Sequence, residues 1–315
     1  MRIRIPPFSL FAGTGNPDLA AAVARALDHP VSPCTVERFP DGEISVHLDE
    51  PVRGHPVFVL QSTSPPVTEN LFQLLSLVDA CRRAAAGRVT AVVPYFGYAR
   101  SDKRHARREP IAASMVASLC QTVGLNHLVT LDLHAAQIEG FFHLPVDNLT
   151  AVPILCDELK HRLSPGTVVV SPDEGRVKMA GDFAQRLGAD VAVVHKQRKS
   201  GTETKIIKVV GDVRDRPCLI IDDMISTGGT IERAIAALLK SGARPEIRVA
   251  ATHGVLVEGT RSALSHPALG EIYVTDTVAP HHRDWPQLKV ISVAPLLAAA
   301  IQRLAARESI GDLFQ

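Results

Sequence analysis

The chain has 315 residues, 46% hydrophobic and 21% charged, the make-up of a globular protein with room for two domains or one large one. Its formal net charge of +1 excludes a global field that would draw nucleic acid or a membrane surface, so any anion must be held by local clusters. Five scattered cysteines (Cys34, Cys81, Cys120, Cys156, Cys218) without a CxxC pair argue against a disulfide framework or a zinc site and for a reducing compartment.

In chain order, residues 1–6 lack the apolar core of a signal peptide, and no later run approaches membrane-spanning length, so a soluble cytoplasmic protein is expected. Residues 8–29 read as a short strand, a turn at Gly13-Thr14-Gly15-Asn16-Pro17 and an Ala-rich helix. That GxG is not a dinucleotide fingerprint, because Asp18 stands where the third glycine belongs, and no GxxxxGK[ST] occurs anywhere. Phe39-Pro40-Asp41-Gly42-Glu43 is an acidic turn ahead of an alternating run at 44–48. Residues 57–60 and 89–94 are apolar strands on either side of a helical pattern over 69–86. A strongly basic segment, 95–110, follows directly and ends at Pro110, which can open the next helix. Placed at a strand's end, such a loop can close over a polyphosphate, although basic runs are more often plain solvated faces. The strand 128–133 carries Asp132 and His134 at its end, and 145–153 reads as a crossing into a second half.

The pattern then repeats. A strand at 167–170 leads into Ser171-Pro172-Asp173-Glu174-Gly175-Arg176, a helix to Gly188, a strand at 191–194, a polar stretch at 195–204 and a strand at 206–210. The stretch that organises this half is Leu219-Ile220-Ile221-Asp222-Asp223-Met224-Ile225-Ser226-Thr227-Gly228-Gly229-Thr230, followed by a helical pattern over 231–240. It reads as a buried strand, two carboxylates at its carboxyl end, and a glycine turn opening a helix. Crevices at strand carboxyl ends are where open α/β sheets bind ligands. Backbone amides at a helix start favour a phosphate, and paired carboxylates suit vicinal sugar hydroxyls or a metal. Strands near 248–251 and 271–275 and a helix over 294–307 complete the chain. The alternation implies α/β layers with mainly parallel sheets and a duplicated domain.

The double Asp with its Thr-Gly-Gly-Thr turn resembles the ribose-5-phosphate loop of the type I phosphoribosyltransferase fold. Together with Phe39-x-Asp41-Gly42-Glu43, Gly97-Tyr98-Ala99-Arg100-x-Asp102, Asp132-Leu133-His134-Ala135-x-Gln137-Ile138-x-Gly140-Phe141-Phe142 and Ser171-Pro172-Asp173-x-Gly175, it stands in the order of one family. The chain resembles the ribose-phosphate pyrophosphokinase family along essentially its whole length. The resemblance implies two tandem type I phosphoribosyltransferase-like domains, 1–147 and 148–295, with a C-terminal helix 296–315 packing back on the first. It implies transfer of the diphosphoryl group of ATP to ribose 5-phosphate, with Mg2+ as cofactor.

By the same resemblance Arg100 packs against adenine. Ser101, Asp102 and His134 belong to the ATP site, which Phe39, Asp41 and Glu43 complete from a neighbouring subunit of a homohexamer. His134 and Asp173 help hold the magnesium, with His134 contacting either the metal or only a phosphate. Asp222 and Asp223 hold the ribose hydroxyls, Ser226, Thr227, Gly228, Gly229 and Thr230 cradle the 5-phosphate, and Lys196 and Arg198 match the catalytic basic pair. Four positions depart from the family's habit: Ser101 for Gln, Arg176 for a second glycine, Gln197 for Arg and Ser226 for Asp. The positions matching the family's regulatory anion site, Pro51, Arg53, Ala85, Arg108, Ser309 and Gly311, have lost three hydroxyls, so weak phosphate dependence is expected. Two other readings stay open, a phosphoribosyltransferase and a non-catalytic regulatory paralogue. Retention of Lys196, Arg198, His134, Asp173 and both aspartates argues against the second.

Overall fold

The computed structural model describes residues 7–104, 106–197, 206–280 and 284–314, with the backbone alone for 196, 197, 206 and 207. The chain divides into two compact units. One is Met1–Thr150 with Thr277–Ala279 and Ser292–Gln315, the other Ala151–Asp276 with Pro280–Ile291.

The first unit runs β1 (Ser9–Ala12), α1 (Pro17–Leu27), β2 (Cys34–Arg38), β3 (Ile44–Leu48), β4 (Pro56–Leu60), α2 (Val67–Arg83), β5 (Arg88–Val93), α3 (Ala112–Thr122), β6 (His127–Leu131) and β7 (Val146–Leu149). Its main sheet has the order β1-β4-β5-β6-β7, every pair parallel. Strands β2 and β3 form a separate antiparallel ladder. Apolar residues of β4, β5 and β6 are buried along nearly their whole length, as parallel strands covered on both faces require. The α1 helix starts where Asn16 accepts from the Leu19 amide and Pro17 takes a position that needs no N–H.

The second unit holds α4 (Val152–Leu159), β8 (Val168–Ser171), α5 (Val177–Leu187), β9 (Asp190–Gln197), β10 (Ile206–Val210), β11 (Cys218–Ile225), α6 (Gly229–Lys240), β12 (Ile247–Gly254), α7 (Thr260–Ala263), β13 (Leu269–Thr275) and β14 (Leu288–Ile291). Its sheet has the order β10-β9-β8-β11-β12-β13-β14, with only β10 antiparallel. Val168, Val170, Ile220, Val249, Ala251 and Ile272 are fully buried in it, packed with Ile231, Ile235 and Leu238 of α6. The last helix, α8 (Ala294–Ala306), belongs to the first unit and lies on α1.

The fold is α/β with mainly parallel sheets, as the alternation of elements indicated. Both units also run through seven strands in the same sequence. β1 pairs with β4 and β8 with β11, and outward from these the order runs β5-β6-β7 in one unit and β12-β13-β14 in the other. The copies differ at one edge: β9 joins the sheet through β8, whereas β2 pairs with β3 alone. Several elements went unread in the sequence, among them β2, α4 and α7 and two edge strands. Residues 146–149, read as a crossing, form edge strand β7 on β6, and Leu288–Ile291 adds the edge strand β14.

Candidate active site

β11 is the centre of the second unit's sheet, held between β8 and β12. Every residue of it is buried, including Asp222 and Asp223, so the strand carries its acidic pair inside the structure rather than in the turn beyond. The Asp223 amide donates to Asp222 Oδ1 at 2.9 Å. Arg176, at the start of α5, places Nε 3.3 Å from Asp222 Oδ1 and 3.0 Å from Asp223 Oδ1. Burial pushes the Asp222 carboxyl well above the usual range, the neighbouring Asp223 adds to the effect, and Arg176 opposes it.

After β11 the chain turns through Ser226, Thr227 and Gly228 into α6. The Ser226 carbonyl is braced by the Thr260 hydroxyl (2.5 Å) and the Val257 amide (3.1 Å). Gly228 has φ +80°, a left-handed conformation that suits glycine, and an added Cβ would stand 3.0 Å from Leu264. No side chain caps α6, so its first amides are left to water or a ligand. Arg233, one turn in, donates from Nη2 to Thr230 Oγ1 at 3.4 Å and lies beside Gly229. This exposed cation at the start of α6 was absent from the sequence reading. Its spacing of three from Thr230, which puts both on one helical face, is the signal that could have found it.

The loop after β8 is built around Asp173. Its Oδ1 accepts from the Gly175 amide at 2.9 Å, and its carbonyl accepts from Ser171 Oγ at 2.6 Å. Oδ2 has no hydrogen-bond partner among the described residues. A half-buried carboxylate with one oxygen engaged fits a magnesium ion that keeps waters and phosphate oxygens as its other ligands. Glu174 reaches back to β9, its Oε1 2.5 Å from His195 Nδ1. Lys196 follows on β9, where its backbone pairs with Ile207 of β10. Arg198 lies outside the described residues.

In the first unit, Phe39, Asp41 and Glu43 occupy the exposed tip of the β2–β3 hairpin. The turn is closed by Phe39 N donating to the Glu43 carbonyl and by Glu43 N donating to Asp41 Oδ1, at 2.8 and 3.1 Å. Phe39 is 47% exposed, unusual for so large an apolar ring. Arg100 is exposed on the loop after β5, at a cavity of about 550 Å³ lined by Val67, Tyr95, Tyr98, Ser101 and Lys103 among others. Ser101 Oγ accepts from the Ala112 amide (3.2 Å) at the start of α3, and buried Asp102 accepts from Gln137. Both side chains therefore brace the loop that presents Arg100. His134 is half-buried beyond β6, after Asp132, whose amide donates to the Leu149 carbonyl at 2.9 Å. Of the positions matched to a regulatory anion site, Ala85 accepts through its carbonyl from the amide of Gly54, the neighbour of Arg53, at 2.8 Å, and the Gly311 amide donates to Ser309 Oγ at 3.2 Å.

In the first unit the corner equivalent to the acidic pair is closed. Where β11 continues into Asp222-Asp223, β4 continues into buried Gln61-Ser62. Gln61 accepts from the Gly15 amide and donates to the Asn70 carbonyl, both at 3.0 Å, and Ser62 donates to the Thr277 carbonyl at 2.7 Å.

Residues 8–124 match a family described as the N-terminal domain of ribose phosphate pyrophosphokinase, and residues 200–315 one described as the phosphoribosyl synthetase-associated domain. A ribose-phosphate pyrophosphokinase of Brucella melitensis is 44% identical over 308 residues, covering 97% of this chain and 99% of the relative. One from Mesorhizobium japonicum is 45% identical over 309 residues, with the same coverage. The solved phosphoribosylpyrophosphate synthetase of Mycobacterium smegmatis superposes with a TM-score of 0.89 at 42% identity, over 95% of this chain and 99% of that one. Similarity of that depth along the whole chain, with the acidic pair, the uncapped α6 and the Asp173 loop all in place, makes this chain a member of the ribose-phosphate pyrophosphokinase family.

Proposed function

We propose that this chain is a ribose-phosphate diphosphokinase. It transfers the β,γ-diphosphoryl group of ATP to the C1 hydroxyl of ribose 5-phosphate, giving phosphoribosyl pyrophosphate and AMP. The observation that carries the reading is the identity of 44% across 97% of the chain to proteins bearing that name. The C1 oxygen bonds to the β-phosphorus as the bond from that phosphorus to the bridging oxygen of AMP breaks, and the hydroxyl proton is released. Charge spreads over phosphate oxygens in such a displacement, so the protein's work is positioning and cationic stabilisation.

Asp222 and Asp223 accept from the ribose hydroxyls. The amides at the start of α6, with Ser226, Thr227, Gly228, Gly229 and Thr230, hold the 5-phosphate, and Arg233 adds charge there. Arg100 stacks on adenine, supported by Ser101 and Asp102. Phe39, Asp41 and Glu43 reach into the nucleotide site of a neighbouring copy, which an exposed aromatic at a hairpin tip favours. Lys196 and Arg198 supply charge to the transferring group. His134 and Asp173 are each residues that would hold Mg2+, which would bring positive charge to the phosphate oxygens when bound. The assembly is a homo-oligomer, a hexamer built from dimers, and sedimentation at assay concentration checks it. The deciding experiment is incubation with ATP, ribose 5-phosphate and magnesium. Equal amounts of AMP and phosphoribosyl pyrophosphate are expected, and ADP or no turnover refutes the reading.

A further inference from the structure

The acidic pair poses an electrostatic problem that the structure answers within its own chain. Asp222 and Asp223 are sequence neighbours whose side chains are only 12% and 2% exposed. Two carboxylates so placed cannot both stay ionised unless a cation sits with them. Bare, they hold a proton or recruit a divalent ion. Arg176 supplies a cation there, opposing the rise that burial and Asp223 impose on Asp222. It is itself only 15% exposed, and one guanidinium nitrogen, Nε, meets an oxygen of each carboxylate. Its backbone has φ −109°, open to any residue, so the side chain is not a by-product of a special turn. The same residue begins α5 directly behind the Asp173 loop, so the cation is delivered from a rigid element. A guanidinium stays charged at any working pH, is planar, and is less strongly hydrated than an ammonium, all of which suit a buried pair. A carboxylate offers about four acceptor positions, so a guanidinium and a sugar hydroxyl can share it.

We propose that Arg176 is the resident counter-cation of the ribose site, so that the Asp222–Asp223 pair receives the diol of ribose 5-phosphate without a divalent cation of its own. Arg176 is then a positioning residue. It lies against both carboxylates, offsets part of their charge and orients them, so no divalent cation is needed at the pair. The inference rests on the reading that the loop after β11 binds ribose 5-phosphate.

The test is calorimetric titration of ribose 5-phosphate into the full chain, without nucleotide, once in EDTA and once in millimolar magnesium chloride. For the unaltered protein the two dissociation constants should agree within about twofold. Arg176→Gly should bind at least tenfold more weakly in EDTA and regain most of the loss in magnesium, because the vacated cation seat can then take the metal. Arg176→Lys keeps the charge and should remain indifferent to magnesium even if weaker overall, and thermal unfolding confirms that both variants are folded. The proposal is overturned if the unaltered protein needs magnesium to bind the sugar phosphate, or if Arg176→Gly binds in EDTA as tightly as its parent. If the unaltered protein binds no ribose 5-phosphate in either buffer, or if Asp223→Asn binds it undiminished, the ribose-site reading itself fails and takes the proposal with it.

Discussion

Asp223, almost fully buried, is on the proposed reading an acceptor for a ribose hydroxyl. Replacing it by Asn removes a charge-assisted acceptor, worth about 1.5–3 kcal/mol, or roughly tenfold to a hundredfold in affinity. Asp223→Asn should therefore weaken ribose 5-phosphate by that factor and leave ATP nearly untouched, while Arg100→Ala should do the reverse. Calorimetry with each ligand separates the two, and exchanged defects would show the loops misassigned. The cysteines give a second residue-scale expectation. Burial pushes the thiols of Cys81, Cys120 and Cys156 up to about 12 and that of Cys218 to about 11, and raises half-buried Cys34 as well. Reactivity follows the thiolate, so a chromogenic thiol reagent at pH 8 should find Cys34 first and slowly, and all five only in denaturant. Prompt reaction of several thiols in the native protein would contradict the buried placement. The acidic pair could be read in the sequence because its two members are adjacent and introduce a glycine turn. Arg176 could be seen only as an odd residue in a loop, since its partners lie far along the chain and proximity is a property of the β8–β11 pairing.

Among the elements, the turn between β11 and α6 has a tightly specified backbone. Gly228 sits at φ +80° with Leu264 packed where a Cβ would go. Gly228→Ala should cost about 1–2 kcal/mol from the left-handed conformation, with the Leu264 contact adding to it. Thermal unfolding should register that loss, and the Michaelis constant for ribose 5-phosphate should rise as the first amides of α6 shift. An unchanged melting temperature would mean that the turn relaxes freely. Long, fully buried strands such as β5 and β12 were legible as apolar runs, and α1, α2, α6 and α8 as helical periods. Edge strands β7 and β14 were not. Each has four residues with mixed polarity, Val-Asp-Asn-Leu and Leu-Lys-Val-Ile, and only pairing with a neighbour defines them. The carboxyl end of β11 was also drawn too short, because an acidic pair looks like the end of a strand until burial shows that the sheet continues past it.

For the whole molecule, the sequence carried the twofold character of the chain, since strand and helix patterns recur after residue 150. It did not reveal that strand succession is conserved from one unit to the other while the corner after the first crossing strand is not. That difference has a numerical consequence. A chain repeating one seven-strand order bears the mark of a doubled gene, and a doubled gene begins with two equivalent clefts. In one copy the cleft keeps its carboxylates. In the other, Gln61 occupies the equivalent corner and is held by Gly15 and Asn70, while Ser62 is tied to Thr277. That corner holds hydrogen-bonded side chains, and fitting a sugar there would leave those groups buried without partners. Saturation titration should accordingly give one ribose 5-phosphate per chain, not two, however symmetric the ancestry.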